Sequence, residues 1–242
     1  MSTNSGPEGR KDNSESQVER RLVVLQAASG ALFAVFLLAH LVNQMVAVAG
    51  QAAYDGVQAQ LRAVYHVPLI EVVLVAAPLV VHIAVSVLRM VRRRRRGQTA
   101  VPAARTRLQR WSAVVLLVFI AGHVFATRGS SLLAGVFPGF DAVAFTMVWM
   151  PAFFIPYYAV FAISALYHAV HGLTLALPRL GVRGGPRRSP VVPGLVAIGA
   201  VALVLGVASL AGAFTAVRAR AIDSDYARML EGLGAVDREA LR

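Results

Sequence analysis

The chain carries six histidines, His40, His66, His82, His123, His168 and His171. Imidazole is the commonest metal ligand among side chains, and inside an apolar stretch it is costly enough to need a reason. A single such histidine is adequately explained as a neutral ring hydrogen-bonded between helices. Four of the six, however, lie one apiece on four separate apolar stretches. His82 stands ten residues before Arg92, and His168 eleven before Arg179. At about 1.5 Å per helical residue, both sit roughly 15 Å from an arginine-marked boundary. His40, ten residues before Gly50, and His123, five before Arg128, occupy the other half of their stretches. The histidines therefore form two pairs at two depths, each pair drawn from two helices. That pattern suits two bis-histidine haem b groups stacked in a helical bundle, each iron taking one imidazole on either face. A zinc or copper site wants its ligands in one cluster, and ligands at two depths do not make one.

The neighbouring residues fit a flat macrocycle. Gly122 adjoins His123, Gly172 follows His168 by four residues on the same helical face, and Ser29 and Gly30 open the first stretch. Small residues at these places also serve ordinary helix packing. His66, just before Pro68, reads as a solvated loop side chain. His171, three residues after His168 and nearer the boundary, either faces a haem propionate or replaces His168 as ligand; depth favours His168.

The elements that must position these rings are membrane helices. A span needs about 20 apolar residues. Five segments qualify: 22–49, 67–91, 111–127, a span within 142–177, and 191–217. The fourth is over-long, and Pro151 and Pro156 mark a kink or its true start. Arg20 and Arg21 precede the first span. The second interspan loop carries Arg92 to Arg96, Arg105, Arg107 and Arg110, and the fourth carries Arg179, Arg183, Arg187 and Arg188. The opposite loops hold only Arg62 and Arg128. The positive-inside rule then places the N-terminus in the cytoplasm and the C-terminus outside. Residues 51–66 show apolar positions at near-helical spacing, so a short helix on the outer surface is expected. The expected division is a disordered cytoplasmic segment over 1–20, a five-helix domain over 21–217, and an outer tail over 218–242, read as an amphipathic helix. The expected fold class is an all-α membrane protein in which the first four spans surround the haems and the fifth packs outside them.

Composition agrees. Of the 242 residues, 57% are hydrophobic and only 15% charged, too few charges for an ordinary soluble domain. Between Arg20 and Ile222 the only acids are Asp55, Glu71 and Asp141. The net charge of +12 flanks apolar spans, so it reflects topology and not nucleic-acid binding. The absence of cysteine excludes disulfides, iron–sulfur clusters held by this chain and covalent c-type haem. Glu71 is the one acid embedded in a span, near the outer boundary. It is either a carboxyl group hydrogen-bonded to a neighbouring helix or, with its pKa raised by burial, a proton shuttle beside a quinone. Tyr65, His66 and Arg62 are close enough in sequence to line the same pocket.

The spans read SGALFAVFLLAHLVNQM from Ser29, PLIEVVLVAAPLVVH from Pro68, LQRWSAVVLLVFIAGHVFATR from Leu108 and YYAVFAISALYHAVHGL from Tyr157. In this order and register the chain resembles the di-haem cytochrome b subunit of succinate:quinone oxidoreductases, the single-anchor kind with five spans, from Ser29 to about Val217. It departs from that pattern at Ser112–Ala113 and at His171. The resemblance implies that His40 with His123 holds the distal haem and His82 with His168 the proximal one. It also implies that Ser29, Arg110, Gly122, His171 and Gly172 adjoin the haems. It further implies a bacterial cytoplasmic (inner) membrane subunit of the respiratory chain and tricarboxylic acid cycle. Such a subunit anchors a flavoprotein, which converts succinate and fumarate, and an iron–sulfur subunit on the cytoplasmic side. Electrons would pass between the iron–sulfur subunit and menaquinone or ubiquinone. The alternatives are the di-haem anchor of another respiratory enzyme, of the nitrate reductase, hydrogenase or formate dehydrogenase type, and a haem-free transporter or anchor.

Overall fold

The computed structural model describes residues 7–97, 103–182 and 191–242, with side chains from Glu15 onward. It is 86% helical, with no strand among the described residues. Five helices are long and apolar enough to cross a membrane, and the chain is a multi-pass membrane protein.

Helix α1 spans Pro7–Val46. It begins inside the segment expected to be disordered, a correction to the sequence-based division. The physical reason lies in its first polar turns. Glu15 pairs with Arg96 and Glu19 with Arg89, which tie the extension to the end of another helix. A turn at Ala47–Ala49 closes α1, and Gly50 at φ 96° reverses the chain, a conformation that costs a residue with a Cβ dearly. Helix α2, Gln51–Tyr65, returns toward the bundle, since Tyr65 packs edge-on against Phe36 of α1 at 5.1 Å.

Helix α3 is Pro68–Arg95 and α4 is Ala104–Ala134. Each contains one π-type wide turn, Glu71–Ala76 in α3 and Phe125–Gly129 in α4. In α3 the cause is Pro78, which has no N–H to donate to the preceding turn. In α4 hydroxyls satisfy carbonyls near the wide turn. Thr127 donates to the His123 carbonyl at 2.7 Å, and Ser130 to those of Ala126 and Thr127 at 3.0 and 2.7 Å. In lipid no water is present to do so.

The over-long fourth segment is two helices. Helix α5, Phe140–Trp149, ends at Met150, which sits outside helical geometry because Pro151 follows. Helix α6, Pro151–Ala176, begins with Pro151 at its first position and tolerates Pro156 in its second turn. A further turn, Leu177–Leu180, prolongs α6.

Helix α1 is the hub: it packs against α3 on one side and α6 on another, and α4 packs against α6. Helix α7, Val191–Leu210, lies against α6 and α1. Its Gly206 brings two backbones together, because a Cβ there would stand 2.2 Å from the Gln44 carbonyl oxygen. Around the bundle the order is α3, α1, α6, α4. No seam of comparable extent joins α3 to α4 among the described residues.

Beyond the α1–α2 turn, α2, α5, the end of α7 and the tail share a core built on Tyr54, Phe140, Phe145, Leu210 and Tyr226. The tail is two short helices, α8 (Arg218–Ile222) and α9 (Asp225–Gly232). They part at Ser224, whose hydroxyl caps α9 by accepting the Ala227 N–H at 3.2 Å. The single amphipathic helix expected here is thus a helical pair folded onto α5. Ile222 and Tyr226 are buried, while Leu233 is exposed.

Candidate functional site

The four span histidines meet in two pairs across the diagonals of the bundle. His82 of α3 faces His168 of α6, with ring centres 6.2 Å apart and planes at 86°. His40 of α1 faces His123 of α4, with centres 5.9 Å apart and planes at 68°. Two imidazoles bound to opposite faces of one metal, each at about 2 Å, would hold their ring centres roughly 6 Å apart. Both pairs meet that spacing.

The pair nearer the arginine-rich end is oriented by polar groups behind it. His82 Nδ1 lies 3.1 Å from the Gln26 carbonyl oxygen of α1, which fixes Nδ1 as the donor and leaves the Nε2 lone pair available. Gly30 makes this approach possible, since a Cβ there would stand 2.6 Å from His82 Nδ1. His168 Nδ1 lies 3.2 Å from Gln109 Nε2 and 3.3 Å from Ser112 Oγ, both on α4. Gln109 Nε2 also donates to the His168 carbonyl at 3.1 Å. Each ligand candidate is thus held by a helix other than its own.

The second pair sits among aromatic rings. His40 stacks on Phe36 at 5.8 Å, and His123 lies against Phe161 at 5.2 Å. Gly122, beside His123, faces open space: a Cβ added there would meet nothing within 4 Å. A Cβ added at Gly172 would meet the Gln109 amide at 3.4 Å, an ordinary contact. Ser29 is buried and donates to the Leu25 carbonyl of its own helix at 2.8 Å. Arg110 is exposed in the first turns of α4. His171 stacks on Tyr167 at 5.5 Å, so His168 is the ring that faces His82.

A third constellation lies where α3 and α4 leave α2. Glu71 and Arg128, one in each wide turn, form a two-pronged ion pair. Arg128 Nε donates to Glu71 Oε1 at 2.5 Å and Nη2 to Oε2 at 2.7 Å. The same guanidinium donates to Ser131 Oγ at 2.7 Å. The fork bridges the side of the bundle that lacks a packed seam. Tyr65 and His66 touch at 4.8 Å, His66 lies 5.7 Å from Phe137, and the Arg62 guanidinium sits over the Phe137 ring at 5.0 Å. Burial and then the Arg128 cation lower the His66 pKa, with Glu71 opposing. Burial raises that of Tyr65, with Arg62 opposing. His66 stands partly exposed in the turn that ends α2, against Tyr65 and Phe137. Glu71 is hydrogen-bonded to a neighbouring helix, as the first of its two sequence readings has it, with Arg128 of α4 on both its oxygens.

Gln26, Gln109, Ser112 and Arg128 did not stand out as site residues in the sequence. A signal was available for Gln26 and Ser112, each a polar residue inside an apolar span, where it needs a partner, whereas Gln109 and Arg128 flank the span 111–127. No group of three or more His, Cys, Asp or Glu able to hold a metal ion occurs among the described residues. The donor set is therefore two imidazoles per depth. That is too few for a tetrahedral site and is the number a haem requires, since the porphyrin supplies the other four nitrogens. Neither a family model, nor a curated protein, nor a solved structure matches the chain.

Proposed function

We propose that this chain is the di-haem membrane anchor of a succinate:quinone oxidoreductase. In this reading it carries electrons between an iron–sulfur subunit and a membrane quinone. The observation that supports the reading best is the pairing of His82 with His168 and of His40 with His123. The ring centres stand 5.9 and 6.2 Å apart on diagonally opposed helices, a spacing that would let each pair hold one haem iron between them. The motif resemblance of the four spans carries the assignment from a di-haem bundle to this family.

When bound, haem supplies one-electron exchange at iron. The chain's own groups supply the rest. His82 and His168 would hold the inner group, with the Gln26 carbonyl and the Ser112 hydroxyl accepting from Nδ1 of the two rings so that Nε2 is presented, and Gln109 tying α4 to the His168 carbonyl. His40 and His123 hold the outer one. Phe36 and Phe161 beside them exclude water, which lowers the local dielectric. The arginine-rich end is the cytoplasmic one, where the iron–sulfur and flavoprotein subunits dock. The count that fixes this includes Arg183, Arg187 and Arg188, which lie outside the described residues.

The quinone is bound at the outer end beside Glu71, Arg128, Tyr65, His66 and Arg62. Glu71 there exchanges the protons that quinone reduction takes up. Arg128 keeps the carboxylate at the boundary of the bundle and must release or share it during proton transfer.

The test is a visible spectrum of the purified chain with its co-purifying subunits. The expected result is a sharp reduced b-type band, two haems per chain by extraction, and a flavoprotein among the partners. A chain without haem would sink the proposal. Two haems with a molybdenum-containing or hydrogenase partner would move it to the other respiratory anchors.

A further inference from the structure

At the arginine-rich end a cleft of about 540 Å³ opens between α1, the end of α3 and the turn after α6. Helix α1 lines it with Ser16, Glu19, Arg20, Val23 and Val24, positions at helical spacing on one face. Arg96, at the end of α3, and Arg179, in the turn Leu177–Leu180, complete the wall. Three arginines, one on α1, one at the end of α3 and one in the turn after α6, thus line one space.

The carboxylate in the wall is already engaged: Glu19 accepts from Arg89 at 2.9 Å. Arg96 gives one N–H to the mostly exposed Glu15 at 2.7 Å and has four further donors. The cleft is also layered along the membrane normal. Its polar part ends at Arg20, and Val23 and Val24 belong to the first turn of the apolar span that begins at Leu22. Val24 is 46% exposed. Cations above an exposed apolar wall, at the polar–apolar boundary, complement a molecule with an anionic head and a hydrocarbon tail.

We propose that this cleft binds the phosphate head group of an anionic membrane phospholipid, with the head group among Arg20, Arg96 and Arg179 and the start of an acyl chain on Val23 and Val24. Arginine suits the role, because its planar donors match phosphate oxygens in pairs. Anionic lipids also enrich the cytoplasmic leaflet, the side to which the arginine count assigns this end. The proposal does not depend on the haem assignment.

The test uses the full chain in detergent with added dioleoylphosphatidylglycerol or dioleoylphosphatidylcholine, and counts retained lipid by native mass spectrometry. Retention of phosphatidylglycerol should exceed that of phosphatidylcholine at least tenfold. Arg20→Gln with Arg179→Gln should cut it at least fivefold, while Arg93→Gln with Arg94→Gln, at the same end outside the cleft, should leave it unchanged. Arg179→Gln alone, expected to cut retention at least twofold, replaces the double variant if that loses helical circular dichroism. Glycerol 1-phosphate distinguishes a lipid from a soluble phosphate. At millimolar concentration it should not displace the lipid, and Val24→Gln should weaken lipid retention several-fold. Equal retention of the two lipids, equal loss in the control pair, or displacement by glycerol 1-phosphate would each overturn the proposal.

Discussion

At the scale of residues, the rings of His82 and His168 are held from behind by other helices. His40→Ala or His123→Ala should remove one haem, and His82→Ala or His168→Ala the other, because an iron with one axial ligand is retained weakly. Haem content should fall from two toward one per chain. Intact spectra in His168→Ala together with a loss in His171→Ala would reassign the ligand. Gly30→Val is a sharper probe. The added side chain would drive the His82 ring from the Gln26 carbonyl, so the inner haem should be lost while the outer band persists. Loss of both, or of neither, would contradict that placement. Glu71→Gln keeps the shape of the side chain but cannot ionise. Quinone-linked turnover should drop well over tenfold, while both haems and succinate oxidation with an artificial acceptor survive. Arg128→Met leaves a carboxylate without its partner in a partly apolar setting and should cost up to about 3 kcal/mol of stability. Both side chains are about a quarter exposed, which caps the figure. Glu71→Gln added to Arg128→Met should recover most of the loss in thermal midpoint.

At the scale of elements, α3 and α4 each leave regular α-helical geometry at one wide turn. The wide turns in α3 and α4 place Glu71 and Arg128 opposite each other, and such turns concentrate at functional sites. Helix α7 carries no histidine and has a packing task. Gly206 seats it on the Gln44 backbone, and Ser209 donates to the buried Ala47 carbonyl at 2.7 Å. Gly206→Val should therefore push α7 away from α1 at a cost of about 1–3 kcal/mol. That would appear as a thermal midpoint lowered by several degrees in detergent, with both haems still bound. An unchanged midpoint would mean that the two backbones do not meet.

At the scale of the whole molecule, the question is which end faces the cytoplasm. A cysteine introduced at Ser189, which lies outside the described residues, should be labelled by an impermeant thiol reagent only from the cytoplasmic side. One at Ser224, the cap of α9, should react only from the outer side, and the natural chain offers no cysteine to confuse the result. The reverse pattern would invert the topology and move the proposed docking face to the other end. At the opposite end from the Arg92–Arg96 run, α2, α5, α8 and α9 form a folded cap, not a loose set of surface helices. That cap encloses the end of the bundle nearest His40 and His123.

The sequence by itself determined the number of spans, the four ligand candidates and their two depths. These follow from hydropathy and from counting residues along helices of fixed rise, both local quantities. It also signalled the break before Pro151, because proline constrains the residue before it. It did not determine the start of α1, which depends on ion pairs between Glu15, Glu19 and arginines some seventy or more residues away. Nor did it determine the partner of Glu71, since Arg128 lies 57 positions further along and reaches it only when two wide turns face each other. The task of Gly30 and the folding of the tail onto α5 are of the same kind. Each depends on which helix faces which, and helical periodicity fixes a residue's angle on its own axis but not the neighbour that fills it.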